Sequence, residues 1–165
     1  MTINGLVQAL EFRGLGKPLH VTSDHLELRA EQIPGSVTMD LSNLRLDNVV
    51  GPVKFGARTR DVDANDVTNS LELKIDRGDI QVSASKLPLA KMDMHSGNGD
   101  ITLALPGKAD FDLDGRVGAG EVENEFGSPL ETRKEGRATT VKGRVGNGPQ
   151  LTAVTDRGTL SIKKK

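Results

Sequence analysis

An all-β fold is what this sequence predicts, and three observations predict it. Apolar and polar residues alternate at a period of two along most of the chain. Gly, Asn and Asp interrupt that alternation at short intervals. A five-residue unit of Gly, polar, aliphatic, polar and apolar residues recurs along the chain. Alternation of this kind marks strands with one buried face, and the interrupting residues are those that turn a chain.

Taken in order, the alternating sets are Val37, Met39 and Leu41; Leu44 and Leu46; Leu71, Leu73 and Ile75; Ile80 and Val82; Ile101, Leu103 and Leu105; Phe111 and Leu113; and Leu160 and Ile162. Only "HVTSDHLELRAEQ" offers a window for a helix, with Ser23 or Asp24 as its cap. Leu26 and Leu28 alternate there too, so a strand is expected.

The recurring unit reads GSVTM at Gly35, GPVKF at Gly51, GDIQV at Gly78, GDITL at Gly99 and GTLSI at Gly158, with a degenerate GEVEN at Gly120. Gly78, Gly99 and Gly120 are 21 residues apart. A fixed period with one strand per copy is the mark of stacked coils, because a single coil cannot bury its own aliphatic residues. Each strand then pairs with its counterpart one coil away, at roughly 4.8 Å. Glycine belongs at the corners. A narrow interior suits Ile, Val and Leu better than rings, and only 2% of the chain is aromatic. The expected core is Val53, Ile80, Val82, Ile101, Leu103, Leu160 and Ile162, within one domain spanning residues 1–165.

Two longer stretches carry a family resemblance. "SGNGDITLALP", followed by the short strand of Phe111 and Leu113 and then "GAGEVENEFG", resembles the bacterial putative-adhesin family, and so does "VKGRVGNGPQLTAVTDRGTLSIKK". The resemblance runs from about Gly35 to Lys163. It implies a right-handed β-solenoid-like fold and an envelope-associated scaffold or adhesive role, in the periplasm or at the cell surface. It supplies no catalytic residues.

Composition narrows function. A net charge of −1 gives no drive toward phosphate backbones, and four Phe with no Trp or Tyr provide few stacking platforms. Nucleic acid is therefore not an expected partner. No apolar run approaches the roughly 18 to 20 residues of a membrane span. The amino end lacks a signal-peptide pattern. It starts within the strand-and-turn pattern at a turn-like Asn4-Gly5, as though cut from a longer chain with Met1 added. The absence of Cys fits either side of a bacterial membrane.

Several residue sets could carry chemistry. Asp110, Asp112, Asp114, Gly115 and Glu121 have the spacing of a calcium loop, and a weaker copy begins at Asp61 with Asp63, Asn65 and Glu72, Asp66 replacing its glycine. The preceding segment reads as a strand, however, and Phe111 and Leu113 fall between the aspartates. The favoured reading puts Phe111 and Leu113 inside and the aspartates outside. Arg77-Gly78-Asp79 spells an integrin-type tripeptide but coincides with a glycine corner. His20 and His25 fall on opposite strand faces, and without Cys no zinc set emerges. His95, Ser96 and Asp100 offer the letters of a hydrolytic triad in a turn, without a supporting motif. Asp79 and Asp100 could stack as the paired carboxylates of a carbohydrate-active β-helix enzyme. The chain offers no Trp or Tyr platform for sugar rings.

The reading that follows is a non-enzymatic envelope or cell-surface scaffold presenting polar β faces to a protein or surface glycan, with no catalytic, cofactor or metal residues assigned. The alternative is the carbohydrate-active enzyme. Self-association through the ends of the stack is a further expectation. The final strand, GTLSI, should present an unpaired edge guarded by Lys163, Lys164 and Lys165. Far-UV circular dichroism should show less than about a fifth of the residues helical; a content near the third typical of globular domains would contradict the stacked-strand fold.

Overall fold

The computed structural model describes residues 2–4, 9–23 and 25–165. Among them are 16 strands and no helix. They are β1 (Thr2–Asn4), β2 (Leu10–Leu15), β3 (Leu19–Ser23), β4 (Leu26–Ala30), β5 (Ile33–Met39), β6 (Asn43–Asp47), β7 (Val53–Thr59) and β8 (Asp61–Asn65). The chain continues through β9 (Ser70–Arg77), β10 (Ile80–Ser83), β11 (Lys91–Asn98), β12 (Ile101–Leu105), β13 (Phe111–Asn124), β14 (Glu131–Glu135), β15 (Ala138–Val145) and β16 (Gln150–Lys164).

The strands form one sheet in two halves that share a core. One half runs β3, β4, β7, β9, β11 and the first parts of β16 and β13, and continues into β15 and β14. The other runs β2, β5, β6, β8, β10, β12 and the second parts of β16 and β13. Each of β7–β8, β9–β10, β11–β12, β16 and β13 is thus one coil with a strand in each half. The coils stack in parallel, which gives the expected β-solenoid-like architecture.

Register explains the sequence alternation. Val53, Leu71, Met92, Leu151 and Leu113 are successive partners in one half. Val62, Ile80, Ile101, Leu160 and Val122 are successive partners in the other. All seven residues expected in the core are at most 2% exposed. Burying each such aliphatic contributes roughly 1.5–3 kcal/mol. Leu41 is the exception among the alternating positions, at 67% exposed. β5 ends at Met39, and Asp40 Oδ1 accepts from the amides of Ser42 and Asn43 in a tight turn that puts Leu41 outside.

At the corner between the halves, Gly78, Gly99, Gly158 and Gly120 form a column. Gly78 and Gly99 have φ of +137° and +155°. A Cβ on Gly99 would lie 1.9 Å from Gly78 O, and one on Gly158 would lie 2.2 Å from Gly99 O. The next coil's carbonyl occupies the space a side chain would need, so only glycine fits. Arg60 is at the head of the column, its carbonyl facing Gly78 in the same way.

The structure also differs from the sequence reading. The coil period is not a uniform 21 residues: corner to corner it is 18, then 21, then 59. β16 inserts between β12 and β13, so Gly99 and Gly120 have Gly158 between them rather than being neighbours. GTLSI is therefore paired on both sides and exposes no edge. Lys163 and Lys164 are in register with Ala104 and Leu105. The reason is the β14–β15 hairpin, which covers the outer side of β13's first part and leaves the slot inside β13 for β16. Gly35 and Gly51 belong to other close approaches, against Asp47 O and Ser70 O. The pairing among β2, β5 and β6, and among β3, β4 and β7, is antiparallel rather than coiled. The helix window forms the β3–β4 hairpin, with Val21 opposite Leu28 and both fully buried. Asp24 and Gly5 lie outside the described residues.

Mutation should separate corner, face and core. Gly99→Ala should destabilise by on the order of 3 kcal/mol or more, since a Cβ there meets backbone. Gly56→Ala, whose Cβ would meet only Lys74 O at 3.8 Å, should be neutral or slightly stabilising. Ile101→Asp should leave the chain unfolded. Urea melts of the three variants provide the check.

Candidate functional site

The acidic residues beside the corners form a ladder. Asp61 Oδ1 accepts from the amide of Asp79 at 2.9 Å, Asp79 Oδ1 from the amide of Asp100 at 2.8 Å, and Asp100 Oδ1 from the amide of Thr159 at 2.7 Å. Each carboxylate thus ties one coil to the next. The positions are in place because Asp follows the corner glycine in both GDIQV and GDITL. Glu121 continues the column opposite Thr159.

Hydroxyls inside the corner do the complementary work. Ser96 Oγ donates to Gly78 O at 2.9 Å and Thr155 Oγ1 to Gly99 O at 2.8 Å, both side chains fully buried. Ser96 and Thr155 are register partners. Nothing in their local sequence distinguishes them from surface Ser and Thr, but each stands three residues before a corner glycine, Gly99 and Gly158.

The outer faces differ in charge. On the first half, ion pairs run from strand to strand: Lys54 with Glu72 at 3.9 Å, Lys142 with Asp114 at 3.3 Å and Arg144 with Asp112 at 2.9 Å, and the His95 ring lies 3.7 Å from the Asp156 carboxylate. Exposed pairs of this kind contribute about 0–1 kcal/mol each. On the second half, Arg45 approaches Asp63 at 4.0 Å. Asp61, Asp79, Asp100 and Glu121 have no cation within ion-pair distance among the described residues. Asn43, Arg45, Asp61, Asp63, Asp79 and Gln81 line a depression on this face.

Three groups have shifted pKa values. The amides of Ser42 and Asn43 hold the Asp40 carboxyl below its usual 3.8. Partial burial works against ionisation of Asp66, but the Ser85 hydroxyl and amide, with Lys86 nearby, outweigh it and lower its pKa. Burial lowers that of Arg60, opposed by Asp40.

Each set singled out in the sequence now has a place. Phe111 and Leu113 point into the core, and Asp112 and Asp114 point outward to the basic residues of β15, as read from the alternation. Glu121 lies beyond the Gly120 corner in the other half-sheet, so the calcium-loop residues follow a strand rather than closing a loop. Of the weaker copy, Asp61, Asp63 and Asn65 lie on β8, Asp66 adopts φ +51°, and Glu72 pairs with Lys54. Among the described residues no group of three His, Asp or Glu converges as a metal site would require. Asp79 of Arg77-Gly78-Asp79 is engaged with the next coil's amide. His20 lies 3.4 Å from Glu27, and His25 is exposed in a turn. His95 and Ser96 are in strand β11 rather than a turn, and because neighbours on a strand face opposite ways, His95 reaches Asp156 outside while Ser96 is buried. The triad letters do not meet.

The family model described as Toastrack DUF4097 matches residues 20–163, which agrees with the resemblance seen in the sequence. A crystal structure of a putative cell adhesion protein from Clostridium sporogenes is similar at 14% identity and a TM-score of 0.45, covering 99% of this chain and 87% of that one. No curated protein matches the chain.

The ladder makes Asp100 more than a solvated corner residue. Asp100→Asn keeps the oxygen that accepts from Thr159 and should change stability by no more than about 0.5 kcal/mol. Asp100→Ala removes it and should cost roughly 1 kcal/mol or more. Equal urea midpoints for the two variants would show that the ladder bond contributes nothing.

Proposed function

Because the chain belongs to the Toastrack DUF4097 family, we propose that it is a non-enzymatic scaffold of the bacterial envelope, placed in the periplasm or at the cell surface, whose polar sheet faces engage a protein or surface glycan. One observation carries the reading. The carboxylates best placed for paired acid–base work, Asp79 and Asp100, each accept a backbone amide hydrogen bond that holds neighbouring coils together. Oδ1 of each is thereby occupied in holding the stack together, a structural duty that accounts for the acidic column without a substrate. The depression on this face is lined by Asp79 but not by Asp100, so the two carboxylates do not converge on one cleft. Among the described residues no helix is long and apolar enough to cross a membrane.

The test separates scaffold from carbohydrate-active enzyme. Incubation with a panel of bacterial and plant polysaccharides should release no reducing ends above a heat-denatured control. Release that disappears in Asp79→Asn and Asp100→Asn variants of normal stability would overturn the scaffold reading. Fractionation of cells producing the native gene product should place the domain outside the cytoplasm.

A further inference from the structure

A stack of strands has open sides only at its ends, and an exposed strand edge is a template for another strand unless something blunts it. Among the described residues this sheet has four terminal strands: β1 and β2 at one end, β14 and the second part of β13 at the other. Three are blunted. β1 spans only three residues. β2 carries a bulge between Arg13 and Leu15, with Gly14 at φ +61°. β14 reads ETRKE, fully exposed and charged with both signs.

The second part of β13 is different. β15 accompanies β13 only as far as Val117. From Ala119 to Asn124 the strand pairs with β16 alone, in unbroken register from Arg157 to Ile162. This run, AGEVEN, has no Pro, no Lys or Arg and no bulge. Glu125 N donates to Ile162 O, so by alternation the backbone groups of Glu123 and Glu121 also face β16. Those of Val122 then face away from it, with no partner among the described residues. The length suits strand addition, since ordinary strands run to about five or six residues.

We propose that this edge, centred on Val122, accepts an extended segment of a partner protein that carries Lys or Arg at alternate positions. The proposal rests on the scaffold reading and gives it a place and a chemistry. Backbone pairing would supply affinity, and alternate side chains would supply selectivity. The outward residues of the edge, Glu121 and Glu123, are exposed and acidic. A cation at every second position of an incoming strand would sit opposite them, as favourable cross-strand pairs do. The same carboxylates repel an identical edge, which selects against a second copy of this chain. Val122 and Phe126, partly buried against the core, leave apolar surface for the intervening small residues of the partner.

The probe is a short fluorescent peptide alternating Lys and Val, with binding read by anisotropy at low and moderate salt. Saturable binding to the parent protein is expected. Val122→Pro should weaken it at least about tenfold. Pro there removes only an amide that faces away from β16, so far-UV dichroism and the melting midpoint should be retained. Glu121→Lys should weaken it by about the same factor and remove its salt dependence. As a check independent of folding, the same peptide N-methylated at alternate residues should fail to bind the parent protein. Absence of binding to the parent protein, or equal binding by the Val122→Pro variant or the methylated peptide, would overturn the proposal. So would a dimer of the parent protein that Val122→Pro dissolves. None of these results bears on polysaccharide cleavage or on cell fractionation, the two measurements that test the scaffold reading itself.

Discussion

The structure depends on one close approach: the carbonyl of each corner against the glycine of the next coil. Coils in a parallel stack are about 4.8 Å apart, and at the corner the chain turns so that this spacing leaves no room for a Cβ. Gly78 O and Gly99 O occupy that space. Once the glycines align, register is fixed on both sides. Ile80, Ile101 and Leu160 fall into one column, and the residue after each glycine falls where a carboxylate can reach the adjoining amide. The carbonyls pressed against the glycines also need donors. Ser96 and Thr155 supply hydroxyls to Gly78 O and Gly99 O from inside, avoiding the roughly 1–3 kcal/mol that an unpaired buried polar group costs.

The column also shows where the coil pattern ends. Arg60 takes the corner position in the first coil, where no further coil stacks above it in the same way. Beyond it β4 pairs antiparallel with β7, while β6 still runs parallel to β8 before β5 turns antiparallel, and the Asp40 turn lies close to the Arg60 guanidinium. Arg60 Nη1 is buried without a hydrogen bond. A side chain as large as arginine is tolerated at a corner only here, where the stack changes character.

Much of this was legible in the sequence because it arises from local chemistry. Period-two alternation identified Ile80, Val82, Ile101 and Leu103 as core, and the same logic turned Phe111 and Leu113 inward against the attraction of a calcium-loop spacing. The corner glycines were legible as a recurrence, although Gly35 and Gly51 share the motif without sharing the column. What the sequence could not reveal was stacking order. Spacing along a chain reports neighbours in space only when coils are laid down consecutively, and the 59-residue step from Asp100 to Thr159 breaks that assumption. The ladder and the buried hydroxyls were hidden for a related reason. Asp100 and Ser96 look like surface residues until the coil that presents their partners is known.

The position of β16 bears on how the molecule is made. Leu151, Ala153, Leu160 and Ile162 occupy a slot whose two walls, β11–β12 and β13, are both synthesised earlier. A nascent chain that has reached the β14–β15 hairpin therefore holds two pieces of sheet that cannot pair as they will in the finished molecule. In the finished molecule they stand roughly two strand spacings apart, near 9.6 Å, with β16 between them. Domains commonly fold as units during synthesis, but this stack cannot close by simple addition from its amino end. Its completion is an insertion, and until that insertion occurs the interior of the stack is open to whatever the cell places beside the ribosome.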